Sequence, residues 1–114
     1  MSVESNINYL DYEIKSNQDR IALMEKYLRE NPSISIYRRQ INQRVYYYKK
    51  YRKEGRSVSV YLGTNKDNMD EVLETIKAKN SERGKVKENC KRLKKINIAL
   101  EKQLRIARRA YANT

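Results

Sequence analysis

The sequence predicts an α+β chain that is mainly α. Two long heptad helices form an antiparallel hairpin or coiled coil, and a three-stranded antiparallel β-meander is inserted between them. Three observations predict this. Apolar residues recur at alternating spacings of three and four from Val3 to Leu28, and again from Met69 to Tyr111, which places them along one helix face. Between those stretches the apolar period falls to two, as in Ile34/Ile36 and Val58/Val60/Leu62. Turn-forming pairs, Asn31-Pro32, Asn42-Gln43 and Glu54-Gly55, separate the pieces. With 114 residues, one elongated domain spanning 1–114 with a modest core is expected.

The first helix is expected over residues 4–30, with Val3, Ile7, Leu10, Ile14, Asn17, Ile21, Met24 and Leu28 as its a/d seam. Asn17 is the polar interruption, and a buried Asn at such a position fixes register at a cost in stability. Asn31-Pro32 stops the helix, because the residue before a proline avoids the α region.

The meander is expected over residues 33–63. Its middle strand, around Val45-Tyr-Tyr-Tyr-Lys-Lys-Tyr51, is rich in strand formers. Two registers are open. With two-residue turns, Ile34 and Ile36 share a face with Tyr47, Tyr51, Val58, Val60 and Leu62. With three-residue turns, Tyr46 and Tyr48 take the middle-strand places, because a one-residue slip swaps the faces. In both, the opposite face carries Tyr37, Arg39 and Tyr61, two middle-strand tyrosines and at least one lysine.

The long helix is expected over residues 67–112, capped by Thr64 or Asn65, with Asp67, Asp70 and Glu71 near its positive end. Its seam is Met69, Val72, Ile76, Lys79, Arg83, Val86, Cys90, Leu93, Asn97, Leu100, Leu104, Ala107 and Tyr111. The seam is polar across Lys79–Gly84, so a break or kink is expected there. At about 1.5 Å per residue the long helix extends roughly 70 Å and the first about 40 Å. The longer helix then outruns the shorter. Leu93, Leu100 and Leu104 would lack a full partner, so a homodimer through the long helix is expected.

Charge is unevenly distributed. The net charge is +12, and Tyr37–Arg56 alone holds eight of the 26 basic residues, five of the ten tyrosines and one acid, Glu54. Ser81–Thr114 holds eleven bases and three acids, while residues 1–36 hold four bases and six acids. In an α-hairpin the two basic blocks would lie near opposite ends of a rod. The acids Glu4, Asp11, Glu13 and Asp19 of the first helix are placed to neutralise part of the second block. Strand tyrosines and edge cations also have a plain reading, as good strand formers and guards against edge pairing. A Lys-rich helix flank is often simply solvated.

Several functions are excluded by composition. There is no histidine, so no Ser-His-Asp or Cys-His centre exists, and one cysteine without histidine leaves no transition-metal ligand set. Neither GxxxxGK[ST] nor GxGxxG occurs. Some small ribonuclease toxins use Tyr, Arg and Lys instead of His, and Tyr46–Arg52 offers those types. The long heptads do not suit such a fold, and no acid–base pair stands at a defined spacing. No enzyme activity and no cofactor are expected. Cys90 falls on the seam and reads as packing; in a parallel dimer it would face its mate. No apolar run approaches the roughly 20 residues that span a bilayer, and the MSVESNINYLDYE start lacks the features of a signal peptide. No membrane partner is expected.

The run Tyr46–Tyr48, the turn Tyr51-Arg52 with Gly55, and Tyr61-Leu62-Gly63 before a helix resemble a recurrent arrangement in small, largely uncharacterised bacterial and phage proteins. The resemblance covers Ile34 to about Asn80. It implies the helix–meander–helix order and brings no functional residues with it. The single cysteine fits an intracellular setting, and the richness in Lys, Asn, Ile and Tyr points to a bacterial or phage source, so the cytoplasm of a bacterium or phage-infected host is expected. A related β-hairpin pattern occurs near the N-termini of some transposases, which points toward DNA.

The expected function is therefore binding. Tyr37, Arg38, Arg39, Arg44, Tyr46, Tyr47, Tyr48, Lys49, Lys50, Arg52 and Arg56 are the candidate contacts in the meander. Lys91, Arg92, Lys94, Lys95, Arg105, Arg108 and Arg109 are the candidates on the long helix. Tyrosine rings stack on bases, and Arg and Lys hold phosphates. The expected partner is nucleic acid or a nucleoprotein complex. The alternative is a phage-encoded inhibitor of a host defence nucleoprotein, of anti-CRISPR type, that grips a host protein with the same side chains as hot spots.

Overall fold

The computed structural model describes residues 2–113. Its elements run α1 (Val3–Glu30), β1 (Ser35–Ile41), β2 (Arg44–Lys53), β3 (Arg56–Thr64) and α2 (Asp70–Ala112). The expected α+β architecture is present: two helices bracket one antiparallel sheet of order β1-β2-β3. No helix among the described residues is long and apolar enough to cross a membrane. Packing divides the chain into two compact units, Met1–Tyr27 with Val86–Thr114, and Leu28–Lys85.

The first unit is a helix pair. Ser2 caps α1 by accepting the Ser5 amide at 3.1 Å. Contacts across the pair join Asp11 to Arg108, Asn17 to Asn97 and Glu25 to Lys94. Numbers rise along α1 as they fall along α2, so the helices are antiparallel. Leu10, Ile14, Leu104 and Ala107 form the buried core, with Ile7 and Leu100 packed against it. Cys90 is buried on the same seam. The core is narrow, since none of the larger side chains described is less than 2% exposed. Leu100 and Leu104 are covered by α1, which removes the reason for expecting these leucines to need a second copy.

Two asparagines cross this seam. Asn17 Nδ2 donates to Asn97 Oδ1 at 2.9 Å, and Asn97 Nδ2 donates to the Ile14 carbonyl at 3.2 Å. Both residues are 5% exposed. The pair forms in one register only. Sliding either helix by a turn buries amides without partners, which costs about 1–3 kcal/mol per group.

The second unit is the sheet with the first part of α2. Glu54 and Gly55 both take positive φ (53° and 75°), as a type I′ hairpin turn requires. Asn42 takes φ 57° at the other turn, a conformation Asn tolerates. On β3 the residues Val58, Val60 and Leu62 are half-buried while Ser57, Ser59 and Tyr61 are exposed. The aliphatic face is thus the covered one. Met69, just before α2, is buried, and Leu73, Ile76, Asn80 and Arg83 are the buried or half-buried positions of α2 in this unit. Leu73 and Asn80 replace the expected Val72 and Lys79, both exposed. The spacing of four then three is kept, but its phase shifts.

α2 runs unbroken through Lys79–Gly84, so the break expected there as one of two outcomes is absent. The polar seam residues there have partners. Asn80 accepts from the Ile34 amide (3.0 Å) and donates to the Ile34 carbonyl (2.8 Å). Arg83 donates to the carbonyls of Asn31 (2.7 Å) and Leu28 (3.5 Å), groups that the end of α1 leaves unsatisfied. α2 also begins later than expected. Asn68 Oδ1 accepts the Asp70 amide, and the Leu73 amide donates to the Met69 carbonyl. Thr64 and Asn65 are committed elsewhere: Asn65 extends the sheet against Val45, and Thr64 closes a turn with Asp67.

Two outcomes follow for stability. Asn97→Leu lowers unfolding free energy by about 1–3 kcal/mol by leaving the buried Asn17 amide without its partner, and Asn17→Leu added to it recovers much of the loss. Urea unfolding of the four-member cycle measures this. Gly84 is exposed, helical and has nothing within 4 Å of an added Cβ, so Gly84→Ala raises stability by about 0.5–1 kcal/mol, readable in the same titration.

Candidate functional site

The register decides the site. β1 pairs with β2 as Ser35↔Lys50, Tyr37↔Tyr48 and Arg39↔Tyr46, and β2 pairs with β3 as Tyr51↔Val58, Lys49↔Val60 and Tyr48↔Tyr61. Both hairpins have two-residue turns, so Tyr46 and Tyr48 face away from the aliphatics. One face carries Tyr37, Tyr46, Tyr48 and Tyr61 together with Arg39, Arg44, Lys50 and Arg52. The strands contain no acid.

The four rings form one cluster. Tyr37 stacks on Tyr48 with centroids 5.0 Å apart and planes 10° from parallel. Tyr61 tilts against Tyr48 at 5.6 Å and against Tyr46 at 6.3 Å. The Tyr37 and Ser59 hydroxyls share a hydrogen bond, so the Tyr37 ring reaches from β1 toward β3. Tyr37 and Tyr61 remain 39% and 53% exposed, while Tyr46 and Tyr48 are half-buried. Such ring pairs add about 0.5–1.5 kcal/mol beyond area burial, which holds the patch in shape before anything binds.

The remaining meander candidates lie on the other face. Arg38, Tyr47, Lys49 and Arg56 alternate with the first set and share the aliphatic side. There Arg38 sits 5.8 Å from the Tyr47 ring centroid and Lys49 sits 5.9 Å from that of Tyr51, near the limit of cation–π attraction. Half-buried Lys49 serves this face rather than the tyrosine patch. Tyr61 is the patch member absent from the sequence-based site residues, although strand alternation had placed it on this face.

The candidates on α2 belong to the first unit. Lys94 pairs with Glu25 (3.6 Å), Arg108 with Asp11 (3.9 Å) and Lys91 with Glu88 (3.8 Å). These are exposed pairs of small individual worth, yet they reduce the free charge of the flank. Arg92, Lys95, Arg105 and Arg109 are exposed and carry no ion pair among the described residues. No group of His, Cys, Asp or Glu suited to a metal ion occurs among the described residues.

A bulge completes the patch. β3 has one extra residue, Leu62, between Tyr61 opposite Tyr48 and Gly63 opposite Tyr47. Gly63 is buried with φ 152°. A Cβ there would stand 2.9 Å from both Asp67 Oδ2 and Met69 Sδ. Gly63→Ala therefore costs about 1–3 kcal/mol from backbone strain alone, opposite in sign to Gly84→Ala, and urea unfolding of the two variants side by side reads the contrast. No protein-family model, curated protein or solved structure matches the chain, so the functional reading rests on the site's own residues.

Proposed function

We propose that this chain is a non-enzymatic binding protein that engages nucleic acid, or a complex containing it, through the tyrosine-basic face of the sheet. The observation that carries this is the joining of four tyrosine rings and four cations on one face whose strands hold no acid. Rings offer stacking surfaces to bases and the cations offer phosphate contacts. The exposed cations of α2, Arg92, Lys95, Arg105 and Arg109 among them, add sequence-independent attraction. The setting proposed is the cytoplasm of a bacterium or phage-infected host.

A second reading is kept because of the ion pairs in the helix unit. With Lys94 and Arg108 engaged by α1 carboxylates, the flank is a weaker phosphate ridge than its composition suggests. A prearranged patch of tyrosine and arginine also suits a protein interface. In that reading the chain is a phage-encoded inhibitor of a host defence nucleoprotein, acting by protein contact. A tagged pull-down with and without nuclease separates the two: capture of a protein complex that survives nuclease favours the inhibitor.

The first reading is tested by titrating labelled DNA and RNA across ionic strengths. Affinity falls steeply with salt, because each neutralised phosphate releases counterions. Arg39→Gln and Lys50→Gln each reduce the slope of log K against log salt by about one. Absence of binding to both polymers at low salt would sink the reading.

A further inference from the structure

We infer that the sheet face is a stacking platform for single-stranded nucleic acid, DNA or RNA, rather than a duplex-binding surface; this rests on the nucleic-acid reading above. The warrant is the layout of the face in rows. Tyr37, Tyr48 and Tyr61 lie side by side across the three strands. Beyond them on one side come Lys50 and Arg52, and on the other Arg39 and Arg44. Aromatic rings thus occupy the middle, and cations occupy both ends along β2.

A duplex presents phosphates outward and keeps its base faces stacked inside. A surface built to hold it needs cations at its centre, and this one has rings there. A single strand presents base faces and phosphates together, and base–ring stacking tolerates any sequence because every base has a π-face. Two of the rings, Tyr37 and Tyr61, are open to take a base, at 39% and 53% exposure, while Tyr46 and Tyr48 pack against them. From Arg44 to Lys50 is six residues of strand, about 20 Å at 3.4 Å each. That is a short site, fitting the low end of stacking modules at about four nucleotides. The uncharged polar side chains paired beside the rings are Ser59, whose hydroxyl bonds Tyr37, and Thr64 opposite Tyr46, which gives little means of telling one base from another. The strand direction proposed follows β2, with phosphates at Arg39 and Arg44 and at Lys50 and Arg52, and bases laid on the row between them.

The test is fluorescence anisotropy with one mixed-sequence oligonucleotide in three forms: single-stranded DNA, the same sequence as single-stranded RNA, and the annealed DNA duplex, at equal ionic strength. At least one single-stranded form binds about tenfold or more tighter than the duplex, and the two single-stranded arms show which sugar is preferred. Tyr61→Ala weakens single-strand binding about tenfold and leaves duplex binding unchanged, while Tyr61→Phe keeps the ring and the affinity. Circular dichroism of each variant confirms that the fold is kept. Duplex binding equal to single-strand binding, or a Tyr61→Ala effect shared equally by both, overturns the platform while leaving the nucleic-acid reading intact. No binding by any form at low salt overturns both.

Discussion

A strand alternates its side chains between two faces, so the length of each turn fixes the face of every residue that follows it. In this protein that constraint governs the site. Asn42-Gln43 and Glu54-Gly55 are both two-residue turns. They send Tyr46 and Tyr48 to the side of Tyr37 and Tyr61, and Tyr47 and Tyr51 to the side of the aliphatics. One more residue in the first turn would scatter the ring cluster and move Lys49 to the place of Lys50. The positive φ values at Asn42, Glu54 and Gly55 are the local backbone cost of keeping the turns short, and Glu54 carries it without glycine's freedom.

A three-stranded sheet with one apolar face needs something to cover that face. Around that sheet, directed bonds from polar side chains fix the ends of the neighbouring segments. Asn80 bonds both backbone groups of Ile34, Arg83 takes up carbonyls at the end of α1, and Asn65 completes the ladder at Val45. The stretch of α2 that lacks apolar seam residues is where such bonds concentrate. In the helix unit Asn17 and Asn97 act likewise, interrupting the apolar seam and selecting its register. Neither unit has a thick core, so directed bonds decide where the seams meet and hydrophobic burial supplies the driving force.

The helices were legible in the sequence because spacings of three and four survive over many turns. Leu10, Ile14, Cys90, Asn97, Leu104 and Ala107 are buried as that spacing requires. The phase near the start of α2 was not legible. Val72 and Leu73, and Lys79 and Asn80, fit a helical stripe about equally, and the hydrogen bonds of Asn80 to the backbone of Ile34, just before β1 and distant in sequence, favour the observed phase. Thr64 and Asn65 looked like caps because their residue types suit caps, but the sheet edge and the turn at Asp67 claimed those polar groups first. For the site, a tyrosine-basic face was readable from alternation alone. Which middle-strand tyrosines it held was not, since composition does not encode turn length. Arg38, Lys49 and Arg56 were grouped with the patch because they are neighbours in sequence, which in a strand means opposite sides.

The extra residue in β3 bears on how this sequence can change. Leu62 sets Gly63 against the helix side, where Asp67 and Met69 leave no room for a side chain. With the Glu54-Gly55 turn fixed, deleting one residue from Ser57 to Val60 would put Tyr61 out of phase with its cluster, whereas the unpaired Leu62 is the one place where the count can change with Tyr61 and Gly63 still opposite Tyr48 and Tyr47. Exchange of one exposed side chain for another disturbs neither. Mutational drift in this strand is therefore open in chemistry but nearly closed in length: substitutions can accumulate on its outer face, while insertions and deletions are confined to the bulge and to chain outside the paired segment.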